Sequence, residues 1–164
     1  MKKIYADCAA TTKISDKAKD AMLSAFEIYG NPSSLHTFGV EAARLLTASR
    51  EKIAELIGAD PGEIYFTSGG SESDNQALFT IGAEGKKKSK NRVISTTVEH
   101  HAILHTMDRL KRGGFDTVLC ETDRSGSVEP KDIEALINDD CAGISVMYAN
   151  NEIGTIEPIQ EIAG

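Results

Sequence analysis

"RVISTTVEHHAILHTMDRLKRGGFDTVLCE", Arg92 to Glu121, decides the fold class. Arg92–Thr97 is a short run with apolar residues at its start and reads as a strand. His101–Arg112 sets Ile103, Met107 and Leu110 at helical spacing, and Gly113-Gly114 ends the helix. Asp116–Glu121 reads as a second strand. Strand, helix, strand is a βαβ unit, and such units build a largely parallel sheet.

The same alternation extends outward. "EIYFT", Glu63–Thr67, reads as a strand and Ser73–Gly82 as a helix. Pro130–Asn138 reads as a helix with Pro130 at a favourable first position, and Gly143–Ala149 as a strand. Upstream, Ala18, Met22, Phe26 and Tyr29 form a helical stripe, with Ser15 or Asp16 as its cap. A longer helix spans roughly Leu35–Ile57, and Gly58 suits its C-terminal cap. A last helix starts near Pro158. The pattern predicts an α/β fold of three layers, a mostly parallel sheet with flanking helices.

Composition narrows the function classes. The chain has 164 residues and a net charge of -7, which argues against nucleic acid as a partner. "KKKSK" at Lys86–Lys90 is the one basic cluster and reads as a solvated loop. No segment approaches the ~20 apolar residues of a membrane span, and "MKKIYADCAATT" has no apolar core of a signal peptide. Cys8, Cys120 and Cys141 are few, odd in number and widely spaced, so reduced thiols and a cytoplasmic location are expected.

In open α/β sheets ligands bind beyond the carboxyl ends of the strands. Three polar clusters fall there. "SGGSES" (Ser68–Ser73) follows the strand at Glu63–Thr67, "VEHH" (Val98–His101) follows Arg92–Thr97, and "NNEIG" (Asn150–Gly154) follows Gly143–Ala149. Gly69 and Gly70 permit close backbone approach, and a helix start with free N–H groups receives phosphate readily. Ser71 can cap that helix with Asp74 as its box partner, and the Ser68, Ser71 and Ser73 hydroxyls can donate. The stretch has neither the Lys of a Walker loop nor the GxGxxG spacing. His100 at a strand end can stack on a flat ligand or move a proton. Asn150 and Asn151 can hold an oxygen without adding charge, or form a turn. His101 and His105 share a helix face, but no third ligand at a familiar spacing supports a metal site. Cys8 lies beside Asp7, which would raise a thiol pKa, so it reads as non-catalytic.

"YADCAATT", "GNPSSLHTFG", "FTSGGSESDN", "VEHHAILH" and "SVMYANNEIGT" together resemble the cysteine desulfurases of the NifS/IscS type, pyridoxal-phosphate enzymes of fold type I in the class V aminotransferase family. The resemblance covers nearly the whole chain. It implies that Gly70 and Ser71 hold the cofactor phosphate, with Ser71 where Thr is usual. It implies that His100 stacks on the cofactor ring and assists proton transfer, so that His100 is the candidate catalytic residue. It implies that Asn151 bonds the ring oxygen. It further implies L-cysteine as substrate, L-alanine as product, and an enzyme-bound persulfide. The sulfur would pass to an acceptor such as an iron–sulfur scaffold, or to thio-modification, in a homodimeric enzyme. Ala6 and Cys8 depart from the usual pattern near the N-terminus, without disturbing the assignment.

Members of that family are more than twice as long. The resemblance places the Schiff-base Lys and the catalytic Cys beyond Gly164, and none of the chain's twelve lysines follows an apolar strand. The expectation is therefore residues 1–14 as an N-terminal arm and 15–164 as part of the large, cofactor-binding domain, inactive alone. A non-catalytic fragment or interaction module, and a related lyase such as a selenocysteine lyase, are the competing readings.

Overall fold

β1 (Arg92–Thr96) lies between two parallel neighbours, β2 (Asp116–Cys120) and β3 (Cys141–Ile144), in the order β2-β1-β3. The computed structural model describes residues 3–164, in two units that divide between Phe66 and Thr67. Arg92 pairs with Asp116 and Thr96 with Cys120; on the other side Val93 pairs with Gly143 and Ile94 with Ile144, after a register shift at Arg92/Val93.

Successive β1 side chains point to opposite faces, and the core divides accordingly. Val93 packs with Leu78, Ile103, Met107 and Leu110, from α3 (Gly70–Lys87) and α4 (His101–Arg112). Ile94 packs with Cys120, Val128 and Ile133, the last from α5 (Pro130–Leu136), and Ile162 of α6 (Ile159–Ala163) lies against that cluster. Helices thus cover both faces, giving the three layers expected. Burying each such aliphatic side chain stabilises by about 1.5–3 kcal/mol. The route through the sheet positions the site. The chain leaves β1 through α4 to β2 on one side, then crosses through α5 to β3 on the other. Crevices at the carboxyl ends of strands form where connections diverge in this way.

The first unit holds α1 (Asp16–Phe26) and α2 (Thr37–Ile57). Ser15 caps α1 by accepting from Ala18 N–H at 3.2 Å. Gly58 ends α2 at φ +70°, a left-handed conformation that costs glycine little. The α1 stripe forms over Ala18, Met22 and Phe26, while Tyr29 lies beyond the helix end, and the stripe is not buried: Met22 is 50% and Phe26 73% exposed.

One predicted strand is absent. Glu63–Thr67 pairs with no strand among the described residues. Pro61–Glu63 is a 3-10 turn, closed by Glu63 Oε2 accepting from Asp60 N–H at 2.8 Å. The Arg50 guanidinium then donates to the Ile64 carbonyl, which takes the place of a ladder partner. Only Ile64 of this run is buried, while Tyr65 and Phe66 face solvent. The predicted Gly143–Ala149 strand is also reshaped. It pairs from Cys141 to Ile144, then bends into a hairpin in which Ala149 bridges Ile156 antiparallel. Among the described residues no helix is long and apolar enough to cross a membrane.

Candidate functional site

A cavity of about 280 Å³ opens where β1 and β3 end, lined by Asp74, Glu99, His100, Ile103, Ser145, Val146 and Met147. A larger hollow of about 490 Å³ lies in the first unit beside Leu35, Val40, Arg44 and Glu51. That one touches no strand end and no histidine, so the chemistry points to the smaller.

The start of α3 is open. Gly69 occupies the cap position without a side-chain hydrogen bond, and a Cβ on Gly69 or Gly70 would meet nothing within 4 Å. Glu72 and Ser73 N–H both reach the Gly69 carbonyl, at 3.1 and 3.2 Å. The Gly70 and Ser71 N–H groups find no acceptor among the described residues, as the first turn of a helix leaves them. The Ser71–Asp74 capping box expected from the sequence does not form. Glu72 reaches back instead, accepting from Ser68 N–H at 2.7 Å and Ser68 Oγ at 2.6 Å. Those bonds, side chain first and backbone second, hold the Glu72 carboxyl below its usual range. Ser73 Oγ pairs with Thr67 Oγ1 at 2.7 Å. Ser68 and Ser73 are therefore spoken for, and Ser71 is the exposed hydroxyl left at the helix start.

His100 caps α4. Its Nδ1 accepts from Ala102 N–H at 3.1 Å, so the neutral imidazole carries its proton on Nε2. The ring lines the cavity and is exposed. His101 and His105 lie ring to ring at 5.7 Å, and among the described residues no group of three metal-ligating side chains forms.

The paired asparagines divide their roles. Asn150 is 8% exposed; its Nδ2 donates to the Val98 carbonyl at 2.8 Å, and its Oδ1 accepts from Glu152 and Ile153 N–H at 2.8 and 3.1 Å. It builds the turn. Asn151 is exposed at the loop tip, with its Nδ2 3.3 Å from Glu152 Oε1. Of the candidate site residues Gly70, Ser71, His100 and Asn151, only His100 lines the cavity. Ser71 sits one helical turn before the cavity-lining Asp74, on the same side of α3. Asn151 lies in the loop that follows the cavity-lining Met147.

Sequence reasoning missed the polar supports. Thr106, buried on α4, donates to Asn75 Oδ1 at 2.8 Å, and Asn75 Nδ2 donates to the Ser71 carbonyl at 2.7 Å. Glu99 is 7% exposed, and its Oε1 accepts from Met147 N–H at 2.8 Å and Thr96 Oγ1 at 3.3 Å. Burial pushes the Glu99 carboxyl above its ordinary range; the two hydrogen bonds oppose the shift, while Asp74 and Glu157 add to it. A glutamate beside a histidine carries no sequence signal that it will be buried.

The profile of the aminotransferase class-V family matches residues 4–164. A cysteine desulfurase IscS of Clostridium botulinum (strain Kyoto / Type A2) is 46% identical over 162 residues, 98% of this chain and 41% of the relative. Among solved structures, a NifS-like protein superposes with a TM-score of 0.91 at 40% identity, over 96% of this chain and 43% of that one. SspA in complex with cysteine superposes at 0.87 and 33% identity, over 95% of this chain and 45% of that one. The chain thus spans well under half the length of the proteins it matches.

Proposed function

Because the chain belongs to the class-V aminotransferase family, whose members depend on pyridoxal phosphate, we propose that the Thr67–Gly164 unit carries the phosphate cradle and one ring-side wall of a cysteine desulfurase site. The observation that carries this reading is the open start of α3. Gly69 and Gly70 leave room where a Cβ would stand, and two N–H groups and the Ser71 hydroxyl lack acceptors among the described residues. That donor set fits a phosphate, which gains from the positive end of the helix dipole.

Bound there, pyridoxal phosphate supplies an electron sink for the bonds at the α-carbon of an amino acid. The chain's own residues do the rest. Gly70 and Ser71 hold the phosphate end. His100, with its proton on Nε2, stacks at the ring or moves a proton at the cavity. Asn151 offers an amide to the ring oxygen or a substrate carboxylate. L-Cysteine is the substrate we assign, because relatives are named cysteine desulfurase and one structural neighbour is a complex with cysteine. L-Alanine is then the product. The sulfur leaves as a persulfide on a protein thiol, for an acceptor such as an iron–sulfur scaffold or for thio-modification. We assign a homodimer and the cytoplasm, the latter consistent with free Cys8, Cys120 and Cys141.

Titration of the chain with pyridoxal phosphate, followed by absorbance, tests the cradle. Ser71→Ala is expected to weaken retention by roughly 1–2 kcal/mol, the scale of one charge-assisted hydrogen bond. An unchanged dissociation constant would remove Ser71 from the phosphate site.

A further inference from the structure

We propose that Glu99 is a positioning residue: its buried carboxylate locks the segment leaving β3 against the turn that carries His100, and so fixes one wall of the cavity and the approach to the Asn151 loop. The inference deepens the cofactor reading above and rests on it for the identity of the ligand.

Glu99 immediately precedes His100 and lines the cavity beside it. One oxygen, Oε1, accepts from Met147 N–H on the far segment and from Thr96 Oγ1 at the end of β1. A single side chain thus joins the ends of two neighbouring strands that lie far apart in sequence. β3 stops pairing regularly at Ile144, and one further bond, Ser145 N–H to the Ile94 carbonyl at 2.9 Å, continues the ladder. Ser95 Oγ then donates to the Ser145 carbonyl at 2.9 Å, and beyond it the Glu99–Met147 bond replaces strand pairing as the tie between the segments. Asn150 supplies the next tie through the Val98 carbonyl. The hairpin then returns to Glu157, whose N–H donates to the Tyr148 carbonyl at 2.9 Å. Glu157 is 2% exposed and fastens this return strand to Val128 N–H at 2.9 Å through Oε2.

An apolar side chain would fill the space of Glu99 without the cost of burying a carboxylate. It would leave the Met147 N–H without a partner. What the carboxylate contributes is therefore placement of the backbone from Met147 onward. Asp74 on α3, which lines the same cavity, and Glu157 on the hairpin are the charged groups that act on this carboxylate, and neither is a cation that would explain its burial as an ion pair.

The test compares Glu99→Ala with Glu99→Gln, which keeps an acceptor at the same position. Amide hydrogen exchange is read at Met147, Glu152 and Ile153, with Val93 and Ile94 of β1 as internal reference. Glu99→Ala is expected to speed exchange at Met147 and in the loop by about tenfold or more while β1 is unchanged, the mark of local opening. Glu99→Gln is expected to stay within about threefold of the parent chain, on the same hydrogen-bond argument. Unchanged Met147 exchange in Glu99→Ala overturns the proposal. Equal acceleration across β1 also overturns it, because the role is then general stability. So does a Glu99→Gln variant that behaves like Glu99→Ala. Exchange decides this inference without any cofactor. A parallel pyridoxal phosphate titration is expected to show weaker binding in Glu99→Ala and recovery in Glu99→Gln. Failure of the parent chain to bind the compound defeats the cofactor reading alone.

Discussion

Asn150 and Asn151 are neighbours of one residue type with opposite circumstances. Asn150 is buried and makes three hydrogen bonds to backbone groups of 98, 152 and 153. Asn150→Ala strands those groups and is expected to cost about 1–3 kcal/mol in urea unfolding. Asn151→Ala, at an exposed tip, is expected to change stability by less than about 0.5 kcal/mol and to act on pyridoxal phosphate binding instead. Equal losses of stability in the two variants would refute this division. Glu99 makes a prediction of a different kind. Its carboxyl is held above the usual range by burial, reinforced by Asp74 and Glu157, with His100 on the same cavity. The folded state keeps this proton to a higher pH than the unfolded chain does. The associated stability is present below the unfolded carboxyl pKa of about 4.3 and is lost as pH rises through the raised folded value. Glu99→Gln removes that dependence and retains the acceptor. The melting temperature of the variant is therefore expected to gain on that of the parent across this window. A parallel pair of curves would exclude Glu99 as the titrating group.

At the level of elements, α3 shows how one helix serves both packing and site. Its C-terminal half lies against β3 so closely that a Cβ on Gly85 would stand 2.4 Å from the Ala142 Cβ. Gly85→Ala is expected to cost about 1–3 kcal/mol through overpacking. The N-terminal end is open, and Gly70→Ala is expected to leave stability within about 0.5 kcal/mol while interfering with a phosphate that approaches the backbone. Urea unfolding and cofactor titration of the two variants should therefore give opposite rankings; matching rankings would contradict the separation. α4 was legible to the residue, since His101–Arg112 combines a strong apolar stripe with Gly113-Gly114 behind it. Glu63–Thr67 was misread because its composition suits a strand, whereas strand formation needs a pairing partner. Local closure of the 3-10 turn and the Arg50 side chain supplied other partners first.

Over the whole molecule, exposed apolar side chains concentrate in the first unit. α1 buries none of its residues, and Leu35, Leu56 and Ile57 are 97%, 73% and 67% exposed. Patches of this kind associate. The isolated 164-residue chain is expected to bind a hydrophobic dye and to sediment with a concentration-dependent mass, and a sharp monomer at all concentrations would count against this. Among the described residues no lysine lines the cavity, and burial raises the Cys120 thiol above its ordinary pKa, away from the thiolate a nucleophile needs. We therefore expect these 164 residues, given pyridoxal phosphate and cysteine, to release no more sulfide than the cofactor alone. Release well above that control would show a complete site.

The sequence by itself determined what depends on near neighbours. Helical periodicity, caps and the strand–helix–strand alternation set α1 to α6, the parallel sheet and the placing of Val98–His101 at the end of β1, although the strand expected before Ser68–Ser73 does not form. These follow from spacing and local hydrogen bonding, which a linear chain displays directly. Tertiary structure alone decided which polar residues would be buried and what they would hold. Glu99 finds Met147, Asn150 finds Val98, Glu157 finds Val128 and Thr106 finds Asn75. Each pair is distant in sequence, and no side chain announces its partner, because burial and hydrogen-bond geometry exist only once the sheet has brought the segments together.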